Sequence, residues 1–153
     1  MEQKKTNQQG AETRLPWSPL SVSLIAFLLP PGGLALTVWN LRRLQVLDGK
    51  MARQLTIAVT VICVVGLTLL TALSPPGPNG SPQPSAEAAG VLSIGVAFAS
   101  YAVQRNPFGA WRLSHLSMRT SSWLAALGLA ALYSLPVYLV IGLLYEGGRR
   151  VQM

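Results

Sequence analysis

The sequence predicts an all-α membrane protein: a four-helix transmembrane bundle whose first helix is kinked or re-entrant. Three observations carry this. Leu15 to Leu41, Gln54 to Ala86, Ala88 to Gln104 and Thr120 to Tyr145 contain no Asp, Glu, Lys or Arg, although twelve basic and five acidic residues occur elsewhere. Uncharged apolar runs of about 17 to 25 residues are what a spanning helix requires, because only a helix satisfies its own backbone polar groups across ~30 Å of hydrocarbon. Half of the chain is hydrophobic and 11% is charged, far below the roughly one-quarter charged share of a soluble domain. Four such segments and their connections use nearly all of the 153 residues, which leaves no room for a second folded domain.

Residues 1–14 are polar, Gln-rich and without periodicity, the composition of a disordered tail. Leu20 to Leu29, preceded by Lys4, Lys5 and Arg14, has the length of a signal-peptide core. It ends, however, at Pro30-Pro31-Gly32-Gly33 rather than at a small-residue cleavage site, and resumes as Leu34 to Leu41. The first segment, about 18–41, is therefore one element broken in the middle. Paired prolines remove two backbone donors and paired glycines lower helix propensity, so the segment either kinks or turns back. Trp17 and Trp39 are twenty-two residues apart, about 33 Å along a helix, which would set one indole at each interface. Trp123 and Tyr145 repeat that spacing. The measure favours a kinked span. The re-entrant alternative places the basic tail on the side of the first basic connection, which the charge bias prefers.

Asp48-Gly49 stops the first segment, and Asp48 can cap the next. The second segment, about 55–74, ends at Ser74-Pro75-Pro76 and is followed by an uncharged Pro/Gly-rich loop, 75–86, expected to be external. In the third segment, about 87–104, Ala89, Ser93 and Ala97 recur every four residues, and Gly95 and Ala99 form a second such pair. The fourth, about 121–145, carries Ala126, Ala130 and Ser134 at the same spacing. Small residues at this interval let helix backbones approach closely in lipid. Packing of the third segment on the fourth is the expected use, an oligomer interface the alternative. Pro136 predicts a kink past the midpoint of the last segment. The transmembrane domain so defined runs from 15 to 148.

In the third connection Arg112, His115 and Arg119 are spaced by three and four. A helix beginning after Asn106-Pro107 would carry them on one face, where they would meet lipid headgroups; the plainer reading is a loop whose arginines set topology. Lys and Arg also give the sidedness. The first and third connections, 42–54 and 105–120, hold seven basic residues and the Pro/Gly-rich loop holds none, which predicts the two basic connections to be cytoplasmic in a multi-pass plasma-membrane protein. A net charge of +7 then belongs to membrane flanks, and no nucleic-acid partner is expected.

The lone Cys63 excludes an intrachain disulfide or a cysteine zinc site, and the lone His115 has no partner for metal binding or acid–base work. Pumps and ion-coupled transporters normally keep ionisable residues at membrane depth, and these windows hold none. No catalytic, cofactor-binding or metal-ligating residue is expected, and no enzyme. Two classes remain. One is a structural or accessory subunit packing on a larger membrane complex; the other is a lipid-interacting module, or a small permeation unit built from copies of itself. The run from Trp17 through the Pro/Gly break to Trp39-Asn40-Leu41-Arg42-Arg43-Leu44 resembles the opening of small uncharacterised bacterial multi-spanning membrane proteins over about thirty residues. That resemblance implies a bacterial inner-membrane setting and no activity.

Overall fold

The computed structural model describes residues 15–73 and 86–151, with side chains over 15–72 and 89–143. The tail 1–14 and all but the last residue of the loop 75–86 lie outside them. Five helices and no strand occur among the described residues: α1 (Pro19–Leu28), α2 (Pro30–Arg43), α3 (Gly49–Leu73), α4 (Ala86–Ser114) and α5 (Trp123–Val151). Two of them, over Gly49–Ala72 and Trp123–Leu143, are long and apolar enough to cross a membrane.

The Pro/Gly break does not kink a continuous span. It folds the first segment into a helical hairpin, α1 down and α2 back, which corrects the distance argument from Trp17 and Trp39. The backbone N–H of Trp17 donates to Asn40 Oδ1 at 2.8 Å, so the two ends of the segment meet. The tetrapeptide's chemistry explains the turn. A helix leaves its first four N–H groups without intrahelical acceptors. At the start of α2, Leu29 donates to the last turn of α1 at Ile25 (2.7 Å), and Pro30 and Pro31 have no N–H to satisfy. The fourth group, Gly32 N–H, donates to Ser134 Oγ of α5 at 3.0 Å. No donor at the buried hairpin tip is left open. Ser134→Ala leaves Gly32 N–H buried without an acceptor, and a loss of about 1–3 kcal/mol in detergent unfolding is the expected result.

Gly33 sets the width of the hairpin. A Cβ there would fall on the Cα and Cβ of Ala26. Glycine is therefore required for close approach of α1 and α2. Gly32 plays the same part toward α5, where a Cβ would press on the Ala130 carbonyl and the Ser134 hydroxyl. Ala126, Ala130, Ser134 and Val137 form one buried stripe of α5, and α5 packs on α2.

The hairpin occupies the centre of the fold. Helix α2 touches all four other helices, whereas α4 touches only α1 and α2, and α3 only α2 and α5, among the described residues. The third segment consequently does not pack on the fourth: the hairpin stands between them. Ala89, Ser93 and Ala97 are half-buried on the inward side of α4, while Gly95 and Ala99 face outward, with open space where a Gly95 Cβ would lie. The apolar core joins Trp17, Val22, Ile25 and Leu36 to Ala126 and Ala130. Outward faces carry large apolar side chains, among them Leu24 and Phe27 on α1, Ile57 and Val61 on α3, Phe98 on α4 and Leu132 on α5. Among the described side chains of α3, Ala52 and Cys63 alone are buried.

Several boundaries move. Helix α3 starts at Gly49 rather than near 55, because Asp48 Oδ1 caps it by accepting from Met51 N–H at 2.6 Å. Helix α4 continues through Pro107 to Ser114, so the helix expected to begin after Asn106-Pro107 is the last part of α4. Helix α5 likewise runs through Pro136. Helix α2 ends in a Schellman turn: Val46 N–H bonds the Leu41 carbonyl at 3.0 Å and Gln45 N–H the Arg42 carbonyl at 3.1 Å. That turn needs a left-handed residue, and Gln45 supplies it at φ 60°. Gln45→Gly relieves the Cβ penalty and is expected to stabilise the chain by about 1 kcal/mol, read as a higher melting temperature in detergent.

Candidate functional site

The open end of the hairpin gathers most of the polar side chains buried within the fold. On α2, Thr37 and Asn40 are three residues apart; on α4, Ser100 and Gln104 are four apart, and helical spacing points each pair at the same neighbour. The Asn40 carboxamide clamps Trp17 at both backbone groups, accepting from its N–H and donating through Nδ2 to its carbonyl at 2.9 Å. Nδ2 also donates to Gln104 Oε1 at 2.5 Å. Gln104 Nε2 donates to the Ser100 carbonyl at 2.8 Å and to Thr37 Oγ1 at 3.3 Å. Asn40 and Gln104 are fully buried. Two buried atoms at this end, Trp17 Nε1 and Ser100 Oγ, have no partner. Every side chain in the network is neutral and non-titrating, so it can hold geometry but cannot transfer a proton.

One turn further along α2, Arg43 joins three segments. Its Nη1 donates to the Leu15 carbonyl at 2.8 Å and to Ser121 Oγ at 3.3 Å, and its guanidinium lies 3.5 Å from the centroid of the Trp17 ring. Ser121 N–H donates to the Pro16 carbonyl at 3.0 Å. The entry to α5 is thereby fixed to the entry to α1. No family model matches this chain, and neither a curated protein nor a solved structure does.

Beside Arg43 lies a cleft of about 440 Å³ between the Leu15-Pro16 segment, the end of α2 and the end of α4. Trp111 and His115 form part of its wall, stacked with centroids 5.0 Å apart and planes within 10°. His115 Nδ1 lies 3.0 Å from the Trp111 carbonyl and 2.9 Å from Ser114 Oγ. Because the carbonyl can only accept, Nδ1 carries the proton. A separate polar cluster ties α2, α3 and α5: Trp39 Nε1 donates to Thr56 Oγ1 at 3.2 Å, and Trp39 meets Tyr133 edge to face at 5.8 Å. The Tyr133 hydroxyl bonds the Thr60 hydroxyl.

Arg112, His115 and Arg119 do not share a helix face. Arg112 is exposed in the last turn of α4, His115 follows the helix end and lines the cleft, and Arg119 is exposed in the irregular connection to α5. The reason is the position of the helix, which stops at Ser114 instead of continuing to Arg119. Sequence reasoning passed over Asn40, Gln104 and Arg43. Asn40 and Gln104 look like ordinary segment ends, and their pairing across 64 residues leaves no local signal.

Proposed function

We propose that this chain is a multi-pass membrane protein in which α3, α4 and α5 span the bilayer and the α1–α2 hairpin enters from the basic side. In it the chain serves as a structural or accessory subunit of a larger membrane complex and not as an enzyme. The observation that carries this is the neutral Asn40–Gln104–Trp17 network, whose hydrogen bonds are directed at the fold itself. Lengths agree with the arrangement. The 25 residues of α3 and the 29 each of α4 and α5 extend about 37 to 43 Å at 1.5 Å per residue, enough for a bilayer. The 14 residues of α2 reach about 21 Å, which ends inside one. A hairpin with both ends on one side also puts Lys4, Lys5 and Arg14 with the seven basic residues of the first and third connections, the stronger positive-inside bias. The bacterial plasma membrane, with those connections in the cytoplasm, is the setting this supports. The cleft beside Arg43 favours the second reading, a lipid-interacting module.

Two experiments test the proposal. In a Cys63→Ser background, cysteines introduced at Ser81, Thr6 and Ser117 are exposed to a membrane-impermeant thiol reagent in intact cells. Labelling at Ser81 alone is expected. Labelling at Ser117 would overturn the orientation, and labelling at Thr6 with Ser117 protected would overturn the hairpin's entry side. Purification from native membranes in mild detergent should then recover a stoichiometric membrane partner; a chain that purifies alone would reject the subunit role.

A further inference from the structure

We propose that the connection between α4 and α5 is an interfacial anchor, with Leu113 and Leu116 sunk into the bilayer surface and Arg112 and Arg119 on the phosphates of anionic lipids. This rests on the membrane placement proposed above. At 82% and 77% exposed, Leu116 and Leu113 are the most exposed of the large apolar side chains described. Such exposure elsewhere belongs to the outward faces of long helices, as at Phe98 and Leu132. Leu113 and Leu116 lie past Arg105 and Asn106-Pro107, in the last turn of α4 and the irregular stretch after it, so a face along hydrocarbon does not account for them. Met118 N–H bonds the His115 carbonyl at 3.1 Å and closes a turn with Leu116 and Ser117 at its corner. Turn corners ordinarily carry Gly, Asn, Asp or Ser; a leucine there is costly in water.

The turn is held at both ends. On one side His115 stacks on Trp111 and its Nδ1–H meets the Trp111 carbonyl at 3.0 Å. On the other, Ser121 N–H donates to the Pro16 carbonyl at 3.0 Å. The connection is thereby fixed at the open end of the hairpin, and little freedom is lost when its leucines insert. Level and charge together say what covers it. Trp123, seven residues after Leu116 and the first residue of α5, is 56% exposed, and exposed indoles concentrate where headgroups meet acyl chains. Residues 88–145 include Arg105, Arg112 and Arg119 and no carboxylate. The one carboxylate among the described side chains, Asp48, caps α3. Exposed leucines flanked by arginines that no neighbouring acid opposes fit an anionic lipid surface, where apolar groups reach about 5–10 Å below the headgroups. The anchoring element is a turn rather than a one-faced helix, and His115 is directed into the cleft instead of toward lipid.

Depth measurements on the full chain test this. In a Cys63→Ser background, nitroxide labels are attached to cysteines at Leu113, Leu116 and Ser117, and the purified chain is placed alone in nanodiscs of phosphatidylglycerol and phosphatidylcholine. Labels at Leu113 and Leu116 should meet dissolved oxygen more readily than a water-soluble nickel chelate, and the label at Ser117 the reverse. Arg112→Gln and Arg119→Gln should each shift the Leu116 label toward water, by about fivefold in the insertion equilibrium per charge. Pure phosphatidylcholine should have the same effect on the unmutated chain. All five positions are exposed, so the melting temperature should not change. Equal access of the chelate to Leu116 and Ser117 would overturn the anchor. Insertion that is indifferent to both arginines and to lipid charge would overturn the phosphate contacts. A Leu116 label that is wet in nanodiscs and shielded only in native membranes would assign the leucines to a partner protein, and would also overturn the anchor. Recovery of the chain from the aqueous fraction of lysed cells would instead overturn the membrane placement.

Discussion

Asn40→Leu is expected to destabilise the chain by about 3 kcal/mol or more, seen as loss of the folded form at a lower temperature or denaturant concentration in detergent. Leu keeps the branching and heavy-atom count of Asn, although its methyl groups are bulkier and some overpacking adds to the loss of hydrogen bonds. Three buried groups lose their partner at once: the Trp17 N–H, the Trp17 carbonyl and Gln104 Oε1. Each orphaned buried group costs about 1–3 kcal/mol, more than an exposed hydrogen bond contributes. Gln104→Leu serves as the comparison. It removes an acceptor from Asn40 Nδ2, which keeps the Trp17 carbonyl, and a donor from the helical Ser100 carbonyl and from Thr37 Oγ1, which keeps its bond to the Gly33 carbonyl; it should be the milder change although Gln104 is equally buried. If the two variants melt alike, the clamp on Trp17 does not hold the hairpin closed.

Gly33→Ala should be as damaging for a different reason. The added methyl would coincide with the backbone and Cβ of Ala26, atoms that cannot rotate aside, so the two helices must separate. Overpacking of a close contact costs about 1–3 kcal/mol and occasionally more, and a backbone clash belongs at the upper end. Opening the hairpin also pulls Asn40 from Trp17 and Gly32 from Ser134, so loss of the folded form at moderate temperature is expected. Gly66→Ala and Gly142→Ala meet nothing within 4 Å and should be neutral or raise stability by up to about 1 kcal/mol through helix propensity. Differential scanning fluorimetry of the three variants would decide. An intact Gly33→Ala protein would mean that α1 and α2 are not in contact.

The helical class and the two longest apolar helices were legible because they rest on composition over twenty or more residues. The Asp48 cap was legible because it acts over three residues. Where inference went wrong, it assumed continuity. Twenty-two residues between Trp17 and Trp39 measure a membrane only if the helix is unbroken, and Pro30-Pro31-Gly32-Gly33 breaks it. Read for its unsatisfied donors and its missing side chains, the same tetrapeptide points to a turned-back hairpin, since two prolines and two glycines suit a buried helix start that lies against other backbones. The small-residue stripe of α5 was visible in the sequence and its partner was not: Ala130 and Ser134 meet Gly32 rather than α4. Arg43 could be counted as a basic flank residue, but stacking on Trp17 arises only when residues 26 positions apart are folded together.

The hairpin's partners have a consequence for biosynthesis. Gly32 bonds a residue 102 positions later and Asn40 one 64 positions later, so when α1 and α2 leave the ribosome neither can complete its contacts. The hairpin is made before the residues that seal it. Until α4 arrives Gln104 is missing from the clamp, and until α5 arrives the donor at the hairpin tip faces its surroundings without an acceptor. A nascent chain halted before Ser134 should therefore carry an unsealed hairpin, and its conversion to a stable, protease-resistant form should wait for α5.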